Sequence, residues 1–197
     1  MSAPTDSPPF RPGPPFCDPG RKDLILRSSD GAAFYVHRLV LSLASPVFED
    51  MLSLSQPDLK DGVPEVLMPH TAVVLERVLR FFYLGAQPVV ETLGQLREIL
   101  EILVDRYNVE SVIALGRMHL CVYIVSQPVG AFAVAAHQGR NDLALKAAKE
   151  CLKLPLRAWD RDPPEELRYI PGTLYQRLIQ FHYRCGQAGK RSDKYSV

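Results

Sequence analysis

The chain has 197 residues, 47% of them apolar and 23% charged, and its 23 Lys plus Arg against 22 Asp plus Glu leave a net charge of +1. That length suits one domain or a small one with an appendage, and a chain of this size buries about 70% of its unfolded surface with no need of a disulfide or a metal. The charge balance supplies no basic face for nucleic acid or an anionic membrane, and no apolar run approaches the ~20 residues of a membrane span.

Seven of the 17 prolines (Pro4, Pro8, Pro9, Pro12, Pro14, Pro15, Pro19) fall in the first twenty residues. No apolar stretch follows a basic start there, so the segment does not read as a secretory signal. Residues 1–20 are expected to form a disordered, partly polyproline II arm, with PxxP pairs at Pro9–Pro12 and Pro12–Pro15 that such a composition produces by chance. Without a secretory signal, Cys17, Cys121, Cys151 and Cys185 are expected to be reduced intracellular thiols. No CxxC spacing links them, which argues against a zinc knuckle or a redox motif. Cys121 and Cys151 sit in apolar stretches and read as small core residues.

Ordered structure is expected from Asp23. Residues 23–27 read as a short strand, Asp30-Gly31 as a tight turn, and Ala33-Phe34-Tyr35-Val36 as its antiparallel partner. From His37 the spacing turns helical for about two turns, through Leu39, Leu41 and Leu43. Ser45-Pro46 then ends one helix and starts another, because serine caps well and proline fits the first helical position. Val47, Phe48, Met51 and Leu52 form one face of that second helix.

Residues 53–64 are polar and loop-like, and Glu65–Met68 is a third strand candidate. Thr71 is expected to cap a helix carrying Val74, Leu75, Val78, Leu79 and Phe82, closed by Gly85. Leu96, Ile99, Leu100 and Leu103 mark a longer helix that Asn108 can end in a left-handed conformation. Val109, Val112, Ile113 and Leu120 carry the next. The order β-β-α-α-β-α-α-α lacks the regular alternation of a doubly wound fold, so an α+β arrangement is expected: a helical cluster capping a small mixed sheet.

Beyond Pro128 the sequence becomes alanine-rich and helical to His137, breaks at Gly139, and resumes from Asn141 with small residues (Ala144, Ala147, Ala148, Cys151) along one face. An irregular proline-marked link holds Trp159. A last helix is expected over 173–185, followed by a fraying polar tail.

Nothing in the chain points to catalysis. GxSxG, a P-loop, HExxH and a glycine-rich dinucleotide turn are all missing. His70, His119, His137 and His182 show no metal-ligand spacing, and Asp160-Arg161-Asp162 reads as a solvated loop. No catalytic residue, cofactor or metal site is expected, and an unrecognised enzyme is only a distant alternative.

Three segments carry a resemblance. Val36–Met51 (VHRLVLSLASPVFEDM) is similar to the BTB/POZ pattern of His-basic, a later Leu, then Ser-Pro-x-Phe and Met. Residues 78–85 (VLRFFYLG) resemble that family's apolar helix ending in Tyr-x-Gly, and residues 104–110 (VDRYNVE) its Asp-Lys-Tyr segment. The resemblance implies a BTB/POZ domain over residues 21–122, with His37, Leu41, Ser45, Phe48, Met51, Phe82 and Tyr83 in its core. The helices from Pro128 to Cys185 resemble tails found on many fungal BTB proteins, giving a C-terminal extension over 123–186 and a polar tail over 187–197.

By its function the family implies an interaction module that homodimerises through its first helices and first strand. Asp23 and Arg38 resemble the charged pair near that groove; removing one partner of a buried pair costs about 3–5 kcal/mol. The residues themselves agree, since Leu39, Val40, Leu41, Leu43 and Val47 are more apolar surface than a two-turn helix hides against one core. A two-fold dimer through Asp23, Arg38, Leu39, Val40, Leu43 and Val47 is the expected outcome. Some members of the family also recruit cullins through a hydrophobic-x-acidic triplet. Counted back from Tyr83, the matching place reads Leu75-Glu76-Arg77, while Val74-Leu75-Glu76 fits one residue early. A ubiquitin-ligase adaptor is therefore the secondary expectation.

Overall fold

A computed structural model describes residues 10–54, 63–83 and 89–192. The chain divides into two compact units: residues up to Val89 together with Ile99–Ile113, and Val90–Glu98 together with the chain from Ala114 onward. Of the three junctions, those after Glu98 and after Ile113 fall inside helices, and residue 122, the expected boundary, lies inside the helix over Val112–Ser126.

The first unit is built on strands β1 (Leu24–Arg27), β2 (Ala33–Val36) and β3 (Glu65–Leu67) in the order β2-β1-β3. β1 pairs antiparallel with β2, Leu26 opposite Phe34, and parallel with β3, Leu26 opposite Val66. Alternation sends Leu24, Leu26, Phe34, Val36 and Val66 into the core, as a strand period of two requires. The Arg27 guanidinium and Glu65 carboxylate pair across β1 and β3, with Nη2 to Oε2 at 2.7 Å. The turn between β1 and β2 spans residues 28–32, longer than the two-residue turn expected. Gly31 takes a φ of 89° there, a conformation that an L side chain rarely adopts.

Helices α1 (Arg38–Ala44) and α2 (Pro46–Ser53) follow, then α3 (Ala72–Arg80) after β3. α4 (Leu93–Leu100) runs into a π-helical turn over Glu101–Arg106. Asn108 ends it at a φ of 50°, the left-handed stop that asparagine tolerates.

In the second unit, α5 (Val112–Ser126, entered from the first unit) leads to α6 (Pro128–His137), α7 (Asn141–Cys151), a short α8 (Arg157–Asp160), a 3-10 turn over Glu165–Tyr169 and α9 (Gly172–Ser192). α6 is the centre: every residue from Pro128 to Ala135 is buried. At Gly130 an added Cβ would lie 2.7 Å from a Leu93 methyl, so any larger residue there would make the buried Leu93 side chain shift. Gly139 breaks the chain between α6 and α7 at a φ of 65°. The Arg97 guanidinium lies 3.7 Å over the Tyr169 ring, a cation–π contact.

Several expectations are corrected. Residues 10–20 are not a loose arm. Phe16 is fully buried, its carbonyl accepts the Tyr35 N–H at 3.1 Å, and its ring meets Phe34 and Tyr83. Two aromatic rings supply the apolar area that proline-rich composition lacks. Pro4, Pro8 and Pro9 lie outside the described residues, as do Gly85 and most of the 53–64 loop. Cys121 is exposed: it follows the exposed Arg117 by four residues, on the same side of the mostly apolar α5. Cys151 is buried, and that burial pushes its thiol up to about 12. The tail does not fray at Gly186: α9 continues to Ser192, since extending an existing helix over Gln, Ala, Lys and Arg offsets two glycines. Among the described residues no helix is long and apolar enough to cross a membrane.

Candidate functional site

The surface of interest grows from the end of β2. His37 ends the strand, and its backbone N–H donates to the Tyr83 hydroxyl at 2.7 Å, with the ring Nδ1 3.3 Å from the same oxygen. That fixes where α1 begins. Burial pushes the Tyr83 phenol up, so the group stays a neutral hydroxyl. Asp23 completes the start of α1 by accepting the Arg38 N–H at 2.8 Å. The expected Asp23–Arg38 charge pair is thus corrected: the carboxylate serves the main chain at the helix start, where unpaired N–H groups and the helix dipole favour an anion.

α1 has seven residues, and only Leu41 is buried. Leu39 and Leu43 are 67% and 79% exposed. At 100° per residue they lie about 40° apart, on the far side from Leu41. Val40 is half-buried. The chain then turns at Ser45 into α2, whose Val47 is 38% exposed on the following turn. A leucine side chain gains about 1.5–3 kcal/mol on full burial, so two of them a turn apart form a surface that favours a partner.

Beneath this surface the residues are held tightly. Ser45 Oγ accepts the Phe48 N–H at 3.2 Å and donates to the Tyr107 carbonyl. Phe48 is fully buried, stacks on Tyr107 with centroids 4.6 Å apart and meets Phe82 edge-on at 6.0 Å. The Tyr107 hydroxyl lies 3.1 Å from His70 Nε2. Burial, then the nearby Arg106 charge, hold the His70 imidazole below its ordinary value. Of the expected core, Leu41, Ser45 and Phe48 are fully buried, whereas His37, Met51, Phe82 and Tyr83 are half-buried. Leu52, not Met51, fills the core from the last turn of α2.

The triplet considered for cullin recruitment lies in α3. Leu75 is fully buried, and the Glu76 carboxylate is bonded to Arg80 one turn later at 2.5 Å. In the register Val74-Leu75-Glu76 the hydrophobic residue is Val74, which is half-buried; in Leu75-Glu76-Arg77 it is the buried Leu75, with Arg77 in the acidic place.

Two features escaped the sequence reading. Phe10 and Phe16 pack around Phe34; aromatic residues among prolines were the available signal. Asp30, read only as a turn residue, accepts the Ala72 N–H at 2.9 Å, while Thr71 makes no side-chain cap bond. Ser28 and this backbone bond hold the Asp30 carboxyl below its usual range. Among the described residues no group of three His, Cys, Asp or Glu is placed to hold a metal. The hydroxyls and imidazoles of this region are taken up in structural bonds, and what the α1–α2 face presents is apolar area.

Comparison with known proteins agrees in kind. Residues 17–123 match the family described as the BTB/POZ domain. Among solved structures, the BTB domain of zebrafish PATZ1 matches with 25% identity, covering 51% of this chain and 75% of that one, with a TM-score of 0.38. No curated protein matches. With more than half of its length in that match, the chain belongs to the BTB/POZ domain family.

Proposed function

We propose that the chain is a scaffold that homodimerises through the exposed face of α1 and α2. BTB/POZ domains act in protein–protein interaction. The observation that carries the finer reading is the pair Leu39 and Leu43, exposed one turn apart on a helix too short to bury them. A two-fold axis near this face would bring each leucine pair against its equivalent, the self-complementary contact of an isologous dimer. Asp23 and Arg38 border the face and would set its rim.

The cullin-adaptor reading has less support. In the register Val74-Leu75-Glu76 the acid, Glu76, already has a partner in Arg80; in the register counted back from Tyr83, Leu75 is buried and Arg77 stands in the acidic place.

Light scattering on the full chain tests the proposal. A dimer at tens of micromolar that becomes monomeric in Leu43→Glu, with unchanged melting, supports it. A monomer in the parent chain at that concentration overturns it. Recovery of a cullin by the parent chain, undiminished in Leu43→Glu, would favour the adaptor reading.

A further inference from the structure

The second unit carries an apolar groove unrelated to the α1–α2 face. It lies between α6, α7 and α9 and has a volume of about 270 Å³. Its floor is made of small side chains, Ala144 and Ala148 of α7, and its walls include Phe132 of α6, Leu145 of α7 and Phe181 of α9. Small residues usually let a neighbouring helix come close, as the alanines of α6 and α7 do for each other. On the α9 side they leave open space instead, and Leu145 remains 51% exposed at the edge. Its volume and lining suit one or two large side chains from the apolar face of an amphipathic helix.

Charge says what kind of segment. The 21 residues of α9 include Arg177, Arg184, Lys190 and Arg191 and no carboxylate, in a chain whose charges otherwise nearly balance. Arg177 follows Leu174 by three residues and precedes Phe181 by four, so it shares the groove-facing side of the helix, and it lines the groove. The nearby carboxylates on α7 are already engaged: Asp142 bonds Arg117 at 2.5 Å and Glu150 bonds Lys153 at 2.6 Å. Lys146 and Lys149 of the same helix are exposed. The groove is therefore apolar inside with Arg177 on its border, and the carboxylates of α7 are engaged elsewhere.

We propose that this groove docks an acidic amphipathic helical segment of another protein, with an apolar anchor between Phe132 and Phe181 and a carboxylate on Arg177. Specificity comes from Arg177, because an apolar slot alone accepts any greasy side chain, whereas a cation at its border disfavours a basic helix.

The probe is a labelled synthetic peptide of about four helical turns with leucines along one face and glutamates on the other, titrated into the full-length protein. A second peptide carries lysine in place of every glutamate. The expected result is saturable binding of the acidic peptide that weakens as salt rises, with no binding of the basic one. Leu145→Glu and Arg177→Glu, both at exposed positions, should each weaken the acidic peptide at least about tenfold with unchanged melting. Equal binding of the two peptides, or affinity unaltered in both variants, overturns the proposal. Phosphatidylserine vesicles bound by the parent and lost in both variants would reassign the surface to a membrane, and self-association abolished by Leu145→Glu would reassign it to a second copy. Either outcome overturns it too.

Discussion

The carboxylate of Asp30 accepts the backbone N–H of Ala72, 42 residues further along the chain. Asp23 does the same for Arg38 across 15 residues. Two helices of the BTB/POZ domain thus begin on aspartates supplied by the β1–β2 hairpin, while their own preceding residues, Thr71 and His37, make no side-chain cap bond. The hairpin sets the helix starts as well as the sheet edge.

Replacement of Asp30 tests this coupling. Asp30→Ala should lower stability by about 1–2 kcal/mol, the cost of losing a helix cap. Asp30→Asn keeps an acceptor oxygen and should lose less. Urea unfolding of both variants measures the difference; identical losses would mean that the charge alone matters. The sign of the pH effect follows from the lowered Asp30 value. A carboxyl that ionises more readily in the folded state stabilises above its unfolded value, so this contribution is present at neutral pH and fades as acid protonates it.

Phe48 and Ser45 test the packing beneath the proposed docking face. Phe48 is fully buried between Tyr107 and Phe82, so Phe48→Ala should cost about 3–5 kcal/mol. Ser45→Ala removes a cap and leaves the Tyr107 carbonyl without the hydroxyl, a loss of about 1–3 kcal/mol. Thermal melts read both. Because Ser45 is bonded to Phe48 and Tyr107, the double variant should lose less than the two single losses added together.

These residues also show what a sequence makes legible. The Ser45-Pro46 cap, the Phe48–Leu52 face and the Asn108 stop are local: each depends on neighbours within one or two turns, and each could be read directly. The BTB/POZ motifs are clusters of such local signals. The aspartate caps were not readable, because nothing near Thr71 says that its helix is capped from residue 30. The packing of Phe16 was hidden for another reason. Proline suppresses both helical and strand periods, so an ordered segment without regular structure looks the same as a disordered one. Cys121 shows a third kind of failure: most of α5 is apolar, and the outward side is marked chiefly by Arg117, one turn before the cysteine.

His70 should make stability depend on pH in the near-acid range. Burial and the Arg106 charge hold its folded value below the unfolded 6.5, and the Tyr107 hydroxyl lies against Nε2. Above 6.5 both states are neutral and the contribution is complete. As pH falls, the unfolded chain takes up the proton first, so stability declines until the folded value is passed. Denaturant midpoints measured from about pH 7 to about pH 5 should fall, and His70→Gln should flatten that slope. A variant as steep as the parent would place the titration on another group.

Removal of the N-terminal segment separates a packed arm from a loose one. The Phe16 carbonyl holds the Tyr35 N–H on the outer edge of β2, and the Phe16 ring stands edge-on to Tyr83 at 5.2 Å. Tyr83 in turn fixes the start of α1 through His37. Phe16→Ala opens a cavity at a fully buried aromatic, so it should cost about 3–5 kcal/mol. Deleting residues 1–20 should lower the melting temperature by at least as much. It should also loosen α1, read as faster amide exchange at Arg38 through Leu41, because the Tyr83 hydroxyl that anchors His37 loses the ring packed against it. A truncated chain that melts with the full one, and exchanges at the same rate, would mean that the hairpin and Tyr83 hold α1 unaided.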